Sequence, residues 1–339
     1  MKRFLLTVVL AAAPVIANAQ TTIIDDIVDE HILPRFQTLA ETSTHLATTA
    51  QNDCAVTSQA LQNAYSDAFD TWVRASHLRF GPTEVDDRAF ALAFWPDSRG
   101  ATPRSLTTLL TEKDPVIASP EDYAQVSIAA RGFYAMEFLM YDETLSNMGD
   151  EDDEDDRCTL VQTVTKDIAT TSAAILEGWQ TDYAARLKSP DTSSTYRSDE
   201  EVLQELFKAL VTGLQFTSET RLGRPLGTFE RPRPTRAEAW RSGRSARHVE
   251  LSLAALNDLA LRLSSDNAKL SERIETSFDV AATLLSKFDD PIFAGVGDPQ
   301  TRFKIEVLQR SIDDIRARVR DELGPTLGVA AGFNSLDGD

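Results

Sequence analysis

The sequence predicts an all-α protein built as two packed helical bundles, and three observations carry that reading. Apolar residues recur at spacings of three and four along most of the chain, which is the pattern of helices with one buried face. No segment alternates apolar and polar residues as a half-buried strand would. Each half of the chain holds four such runs, and four helices per half make two bundles.

Lys2 and Arg3 precede an apolar run from Phe4 to Ile16 that closes on Ala17-Asn18-Ala19. That is the order of an export leader over 1–19, cut near Ala19, and the run is too short to span a bilayer. No later stretch is long and apolar enough to do so, and no cysteine follows the cut to carry a lipid. The expected mature protein is exported and soluble, in the periplasm or secreted.

The first helix is marked by Ile24, Ile27, Val28, Ile32, Phe36 and Leu39, and Pro34 should kink it. The second runs from about Ser58 to His77 with Leu61, Tyr65, Phe69, Trp72 and Val73 on one side. A loop region rich in aromatic and turn residues follows, through Phe80-Gly81-Pro82, Phe94-Trp95-Pro96-Asp97 and Pro103. A third helix is expected over Glu121 to Tyr141. Gly149 to Asp156 is a run of like charge that repels itself and should be a solvated loop. Cys158 opens a long helix through Val161, Val164, Ile168, Ile175 and Trp179.

The polar segment 191–198 divides an N-terminal bundle, 20–190, from a C-terminal bundle, 199–339. The second half begins on Val202, Leu206, Leu210 and Leu214. Gly223, Pro225, Gly227, Pro232 and Pro234 make the next stretch irregular. Thr235 and Glu238 then read as a capping box, which predicts that a long helix starts there and buries Val249, Leu253, Leu256, Ala260 and Leu263. Two more helices lie on Ile274 to Leu285 and Leu308 to Val319, and the tail 332–339 is not helical.

The chain has 53 acidic and 34 basic residues, a formal charge of −19. Loss of Lys2 and Arg3 with the leader makes it −21. Nucleic acid and anionic membranes are poor partners for such a surface. Cys54 and Cys158 are the two cysteines, and an oxidising compartment predicts that they are joined.

The candidate site centres on Gly132-Phe133-Tyr134-Ala135-Met136-Glu137. Glu137 falls on an apolar helical stripe with Val126, Ala130, Phe133 and Met140, so its carboxylate is expected to point inward. There it needs a cation, a metal, hydrogen-bond donors or its own proton. Tying two helices together through an arginine would meet that need as well as a functional site would. Tyr134 lies on the adjoining side.

Eight arginines and no lysine fall between Arg221 and Arg247. In the expected helix Arg241, Arg244 and His248 share a face, suited to an anion or to carboxylates of the other half. Trp72, His77, Arg79 and Asp97 gather around the second helix and its loop. His77 and Asp97, with Glu137 and Tyr134, could supply nitrogen and oxygen ligands to a hard metal such as ferric iron. No zinc-peptidase helix, serine elbow, phosphate loop or dinucleotide fingerprint occurs.

At these residues the chain resembles the imelysin-like family of exported bacterial proteins, a proposed metallopeptidase class. The family's Gly-x-His-x-x-Glu signature corresponds to Gly132 through Glu137. The stretches Phe80-Gly81-Pro82 after Trp72, Phe94-Trp95-Pro96-Asp97, Arg224-Pro225-Leu226-Gly227 and Glu238 to Ser245, with the closing Gly332 to Asp339, carry the likeness across nearly the whole mature chain. The resemblance implies paired helical bundles with the signature in the cleft between them, a periplasmic or outer-membrane-facing location, and an association with iron acquisition. Tyr134 stands where the signature has histidine. Tyrosine binds metal well only as phenolate, which suits ferric iron better than zinc.

The leading expectation is therefore a binding protein rather than an enzyme. Its cleft, with Glu137, Tyr134, Gly132, Trp72, Arg241 and Arg244, would hold iron, a ferric chelate or a small anionic ligand. A metal-dependent peptidase and a non-catalytic scaffold for a cell-envelope partner are the alternatives.

Overall fold

The computed structural model describes residues 13–148 and 154–329. Most of the expected leader, part of the acidic run and the tail from 330 lie outside the described residues. Among those described the secondary structure is helical, with a single isolated bridge between Thr228 and Arg231. None of the described helices is long and apolar enough to cross a membrane.

Helix α1 runs over 13–52, as Ala13–Ile27, a π turn Val28–Ile32 and Leu33–Asn52. Proline at 34 has no N–H for the carbonyl four residues back. The chain answers with the wider turn just before it, where the Leu33 N–H bonds the Val28 carbonyl, in place of an abrupt kink. Helix α2 is Gln59–Ala75, and the Ser58 hydroxyl caps it by accepting from the Leu61 N–H. Helix α3 is Ala101–Thr111 and α4 is Gly132–Tyr141. Helix α5 covers 154–188, interrupted by a π turn at Trp179–Tyr183.

Helix α6 covers 199–226 with a π turn at Phe216–Leu222, α7 is Ser245–Leu263 and α8 is Ala268–Leu285. Helix α9 covers 299–327, with its π turn at Val319–Leu323. Pro225 and Pro325 follow these last two π turns as Pro34 follows the first.

The Leu33–Asn52 part of α1 packs between α2 and α5, with α4 against α5. Helices α6 to α9 pack together as the second group. The groups meet where α2 lies on α7, and the Ala13–Ile27 part of α1 packs on α6 and α7. One helix is thus shared by both groups, and a single apolar core runs through the molecule. Segment 191–198 joins α5 to α6.

Cys54 and Cys158 are bonded, with Cα atoms 5.4 Å apart across 104 residues of sequence. The bridge ties the loop after α1 to the start of α5. A closed loop of this length stabilises a fold by about 2–4 kcal/mol.

Three helix starts differ from expectation. Helix α5 is already formed at Glu154, before Cys158, so the end of the acidic run is helical and not loop. Helix α4 begins at Gly132, not near Glu121, because Gly132 adopts φ +75°. A Cβ there would overlap the carbonyls of Ala91 and Leu92, so the close backbone approach admits only glycine. Val126 and Ala130 therefore precede the helix. Helix α7 begins at Ser245, not at Thr235. Ala239 and Gly243 have positive φ values of 48° and 75°, and residues 237–244 form turns.

Candidate functional site

Three segments converge on a cavity of about 200 Å³: the loop 94–100 with the start of α3, helix α4 and the stretch 235–241. Tyr134 and Glu137 from α4 line it, as do Asp97, Arg224, Arg236 and Arg241, with Trp95 and Trp240 among its aromatic walls. Helix α4 is buried almost all round, so both of its polar side chains must find partners within the protein.

Glu137 is 2% exposed. Its Oε1 accepts from the backbone N–H of Ser242 at 3.0 Å and from the Ser242 hydroxyl at 2.9 Å. Burial raises its pKa against these bonds and the nearby Arg241. The turns around Gly243 are what bring the Ser242 N–H to this carboxyl.

Tyr134 is turned toward a second buried carboxylate. Its hydroxyl donates to Oε1 of Glu238 at 2.5 Å. Arg221 Nε donates to Glu238 Oε2 at 2.6 Å, and Arg221 Nη1 to Ser252 Oγ at 3.0 Å. His248 Nδ1 lies 3.3 Å from Glu238 Oε2. Burial is the largest influence on Glu238 and opposes its charge, but Arg221, His248 and the Tyr134 hydroxyl together outweigh it and hold the carboxyl down at about 2. Burial, and then the Glu238 charge, push the Tyr134 phenol well above its ordinary value.

The remaining expected site residues divide. Asp97 lines the cavity, but its carboxylate accepts the backbone N–H groups of Thr102 at 2.8 Å and Arg99 at 3.3 Å. Arg241 lines it too, with Nε on Asp142 at 2.9 Å and its guanidinium 3.9 Å from the Phe138 ring centroid. Arg244 pairs with Asp70 and donates to the Ser66 carbonyl. The two arginines share no helix face, since residues 237–244 are turns, and each meets a carboxylate of the first half. Trp72 is buried in α2 and is not part of the cavity wall, and Gly132 serves the backbone approach described above.

His77 is brought to a different place. Its Nε2 lies 2.8 Å from Nε2 of His31, whose Nδ1 lies 2.7 Å from Asp258 Oδ2. Both rings are buried. Burial, against the pull of Asp258, lowers the His31 pKa to about 4, and burial followed by repulsion from His31 lowers that of His77. Two neutral rings in this chain require that His31 donate to Asp258 and accept from His77.

These donors do not suit a resident metal ion as they stand. The Tyr134 proton is held by Glu238, Asp97 is engaged with backbone, and His77 is bonded to His31. Among the described residues no group of three or more His, Cys, Asp or Glu side chains could hold a metal.

Glu238, Arg221, Arg224, Arg236 and His31 were not singled out from sequence as site or cluster residues. The usable signal was the run of arginines from Arg221 to Arg247, within which Glu238 is an acid with cationic partners at hand.

Comparison with known proteins places the fold. Residues 32–319 match the family described as Imelysin. No curated protein matches the chain. Its fold is similar to that of an imelysin-like protein from Psychrobacter arcticum 273-4, at 20% identity and a TM-score of 0.78, over 94% of this chain and 98% of that one. It is also similar to a candidate iron-regulated protein A precursor from Parabacteroides distasonis ATCC 8503, at 12% identity and a TM-score of 0.74, over 91% and 95%.

Proposed function

The chain belongs to the imelysin family, and we propose on that footing that it is an exported binding protein whose cavity takes a small anionic ligand, a ferric chelate among them. The observation that carries this reading is the cavity itself, in which the buried Glu137 and three arginines meet aromatic walls. Concave sites of this kind, mostly apolar with a few convergent polar groups, are where small molecules bind. Iron would enter as cargo within a chelate, since the protein donors are already engaged. Tyr134 in place of the signature histidine removes the neutral imidazole that a zinc peptidase would use, which favours binding over hydrolysis.

Export is part of the proposal. It is supported by the Lys2-Arg3 start, the apolar run and the Ala17-Asn18-Ala19 close of the first residues, and by a disulfide suited to an oxidising compartment. The iron-regulated name of one structural relative agrees with a role in iron handling.

Equilibrium dialysis with ferric citrate tests the reading. The wild-type protein should retain the chelate, and Glu137→Ala should weaken retention at least about tenfold, a loss of about 1.4 kcal/mol. Equal retention by both proteins, or none by either, overturns it.

A further inference from the structure

Among the described residues, four of the eight arginines from Arg221 to Arg247 are paired with carboxylates, and of the four that are not, Arg231 and Arg233 are exposed to solvent and away from the cavity wall. Arg221 pairs with Glu238, Arg241 with Asp142, and Arg244 and Arg247 with Asp70. Arg224 and Arg236 both line the cavity, and among the described residues neither forms an ion pair. The Arg224 Nη2 donates to Ser98 Oγ at 3.3 Å, while its Nε is buried without a hydrogen-bond partner. Its guanidinium stands 5.7 Å from the centroid of the Trp95 ring, which limits the directions in which its fork can point.

Burial, followed by repulsion from Arg236, lowers the Arg224 pKa. Arg224 is half-buried and Arg236 exposed, so the cost of a partly desolvated cation without an ion-pair partner falls on Arg224, and an anion in the cavity relieves it.

Building on the cavity as a ligand site, we propose that Arg224 and Arg236 form a carboxylate clamp, and that the ligand is a small polycarboxylate bearing a hydroxyl. The planar guanidinium presents paired donors that match the two oxygens of a carboxylate. The carbon skeleton of such a ligand lies against Trp95, Phe94 and Trp240, which line the same cavity. Glu137 reads the hydroxyl: its Oε1 is occupied by Ser242, and its carboxyl can accept a hydrogen bond when ionised or donate one when protonated. A phosphate presents similar charge but tetrahedral oxygens and no hydroxyl-bearing skeleton.

Titration calorimetry on the mature chain with citrate, tricarballylate (citrate without its hydroxyl) and inorganic phosphate separates the possibilities. Citrate should bind the wild type, and Arg224→Gln and Arg236→Gln should each weaken it at least about tenfold, a change of about 1.4 kcal/mol. Arg224→Lys, which keeps the charge without the fork, should fall between. Glu137→Gln should narrow the preference for citrate over tricarballylate. Arg310→Gln, on the far exposed groove of α8 and α9, should change nothing.

Undiminished citrate binding in both glutamine variants overturns the clamp while leaving the cavity reading intact if Glu137→Ala still loses ferric citrate. Tighter binding of phosphate than of citrate overturns the carboxylate assignment. Failure of the wild type to bind free citrate also overturns the clamp, and the broader reading then falls only if ferric citrate is not retained either.

Discussion

Glu238 is where a buried ion pair of the second half takes a hydrogen bond from the first. It takes a proton donor from α4 through Tyr134 and a cation from α6 through Arg221, all buried. Removing one partner of a buried pair leaves the other charge uncompensated. Glu238→Gln should therefore cost about 3–5 kcal/mol of stability, measured by urea unfolding, while the double variant Glu238→Leu, Arg221→Met recovers much of the loss. A single variant as stable as the wild type would mean that Arg221 has another counter-charge. The burial of Glu137 was legible in the sequence from the apolar Phe133 and Met140 at helical spacing, although Val126 and Ala130, read with them, precede the helix. The role of Glu238 was not, because Thr235 and Glu238 also fit a local helix-start pattern, and nothing local distinguishes an acid that caps from one that reaches an arginine 17 residues away.

Among the elements, the long helices were legible because burying one face is a requirement that sequence displays directly. Where α4 and α7 begin was not, because each start is decided by backbone conformation, at Gly132 and at Ala239 and Gly243. The two glycines separate conformation from space. Both have φ of 75°, but a Cβ at Gly132 meets the Ala91 and Leu92 carbonyls, whereas one at Gly243 has nothing within 4 Å. Gly243→Ala should cost about 1–2 kcal/mol, the conformational penalty alone. Gly132→Ala should cost at least about 2 kcal/mol more, because backbone must move, and by shifting α4 it should also weaken ligand retention. Urea midpoints for the two variants give the comparison, and equal midpoints would contradict the packing role of Gly132.

Over the whole molecule, three buried histidines make stability depend on pH. Burial lowers the pKa of His31, His77 and His248, so between the unfolded value of 6.5 and about 4 for His31 the unfolded chain binds more protons than the folded one. Stability from this source is complete above 6.5 and is lost as pH falls toward 4. Glu137 and Asp167, whose pKa values burial raises, act in the opposite sense. Urea unfolding at pH 7 and pH 5 should show a loss of about 2 kcal/mol from His31 alone, and an unchanged stability would refute the neutral His77–His31–Asp258 chain.

Each half of the sequence holds its own set of amphipathic runs. That α1 packs on helices of both halves was not legible, because sequence order cannot say which helices an early one will meet. Sharing α1 has a mechanical result. Its part before the π turn, which keeps the buried Ile23, Ile24 and Ile27 once the expected leader is cut near Ala19, is seated on α6 and α7 and its Leu33–Asn52 part between α2 and α5, so swinging the halves apart about 191–198 would have to break a continuous helix. Any widening of the cavity then rests on its own lining segments, 94–100 and 235–241, and not on the frame behind them.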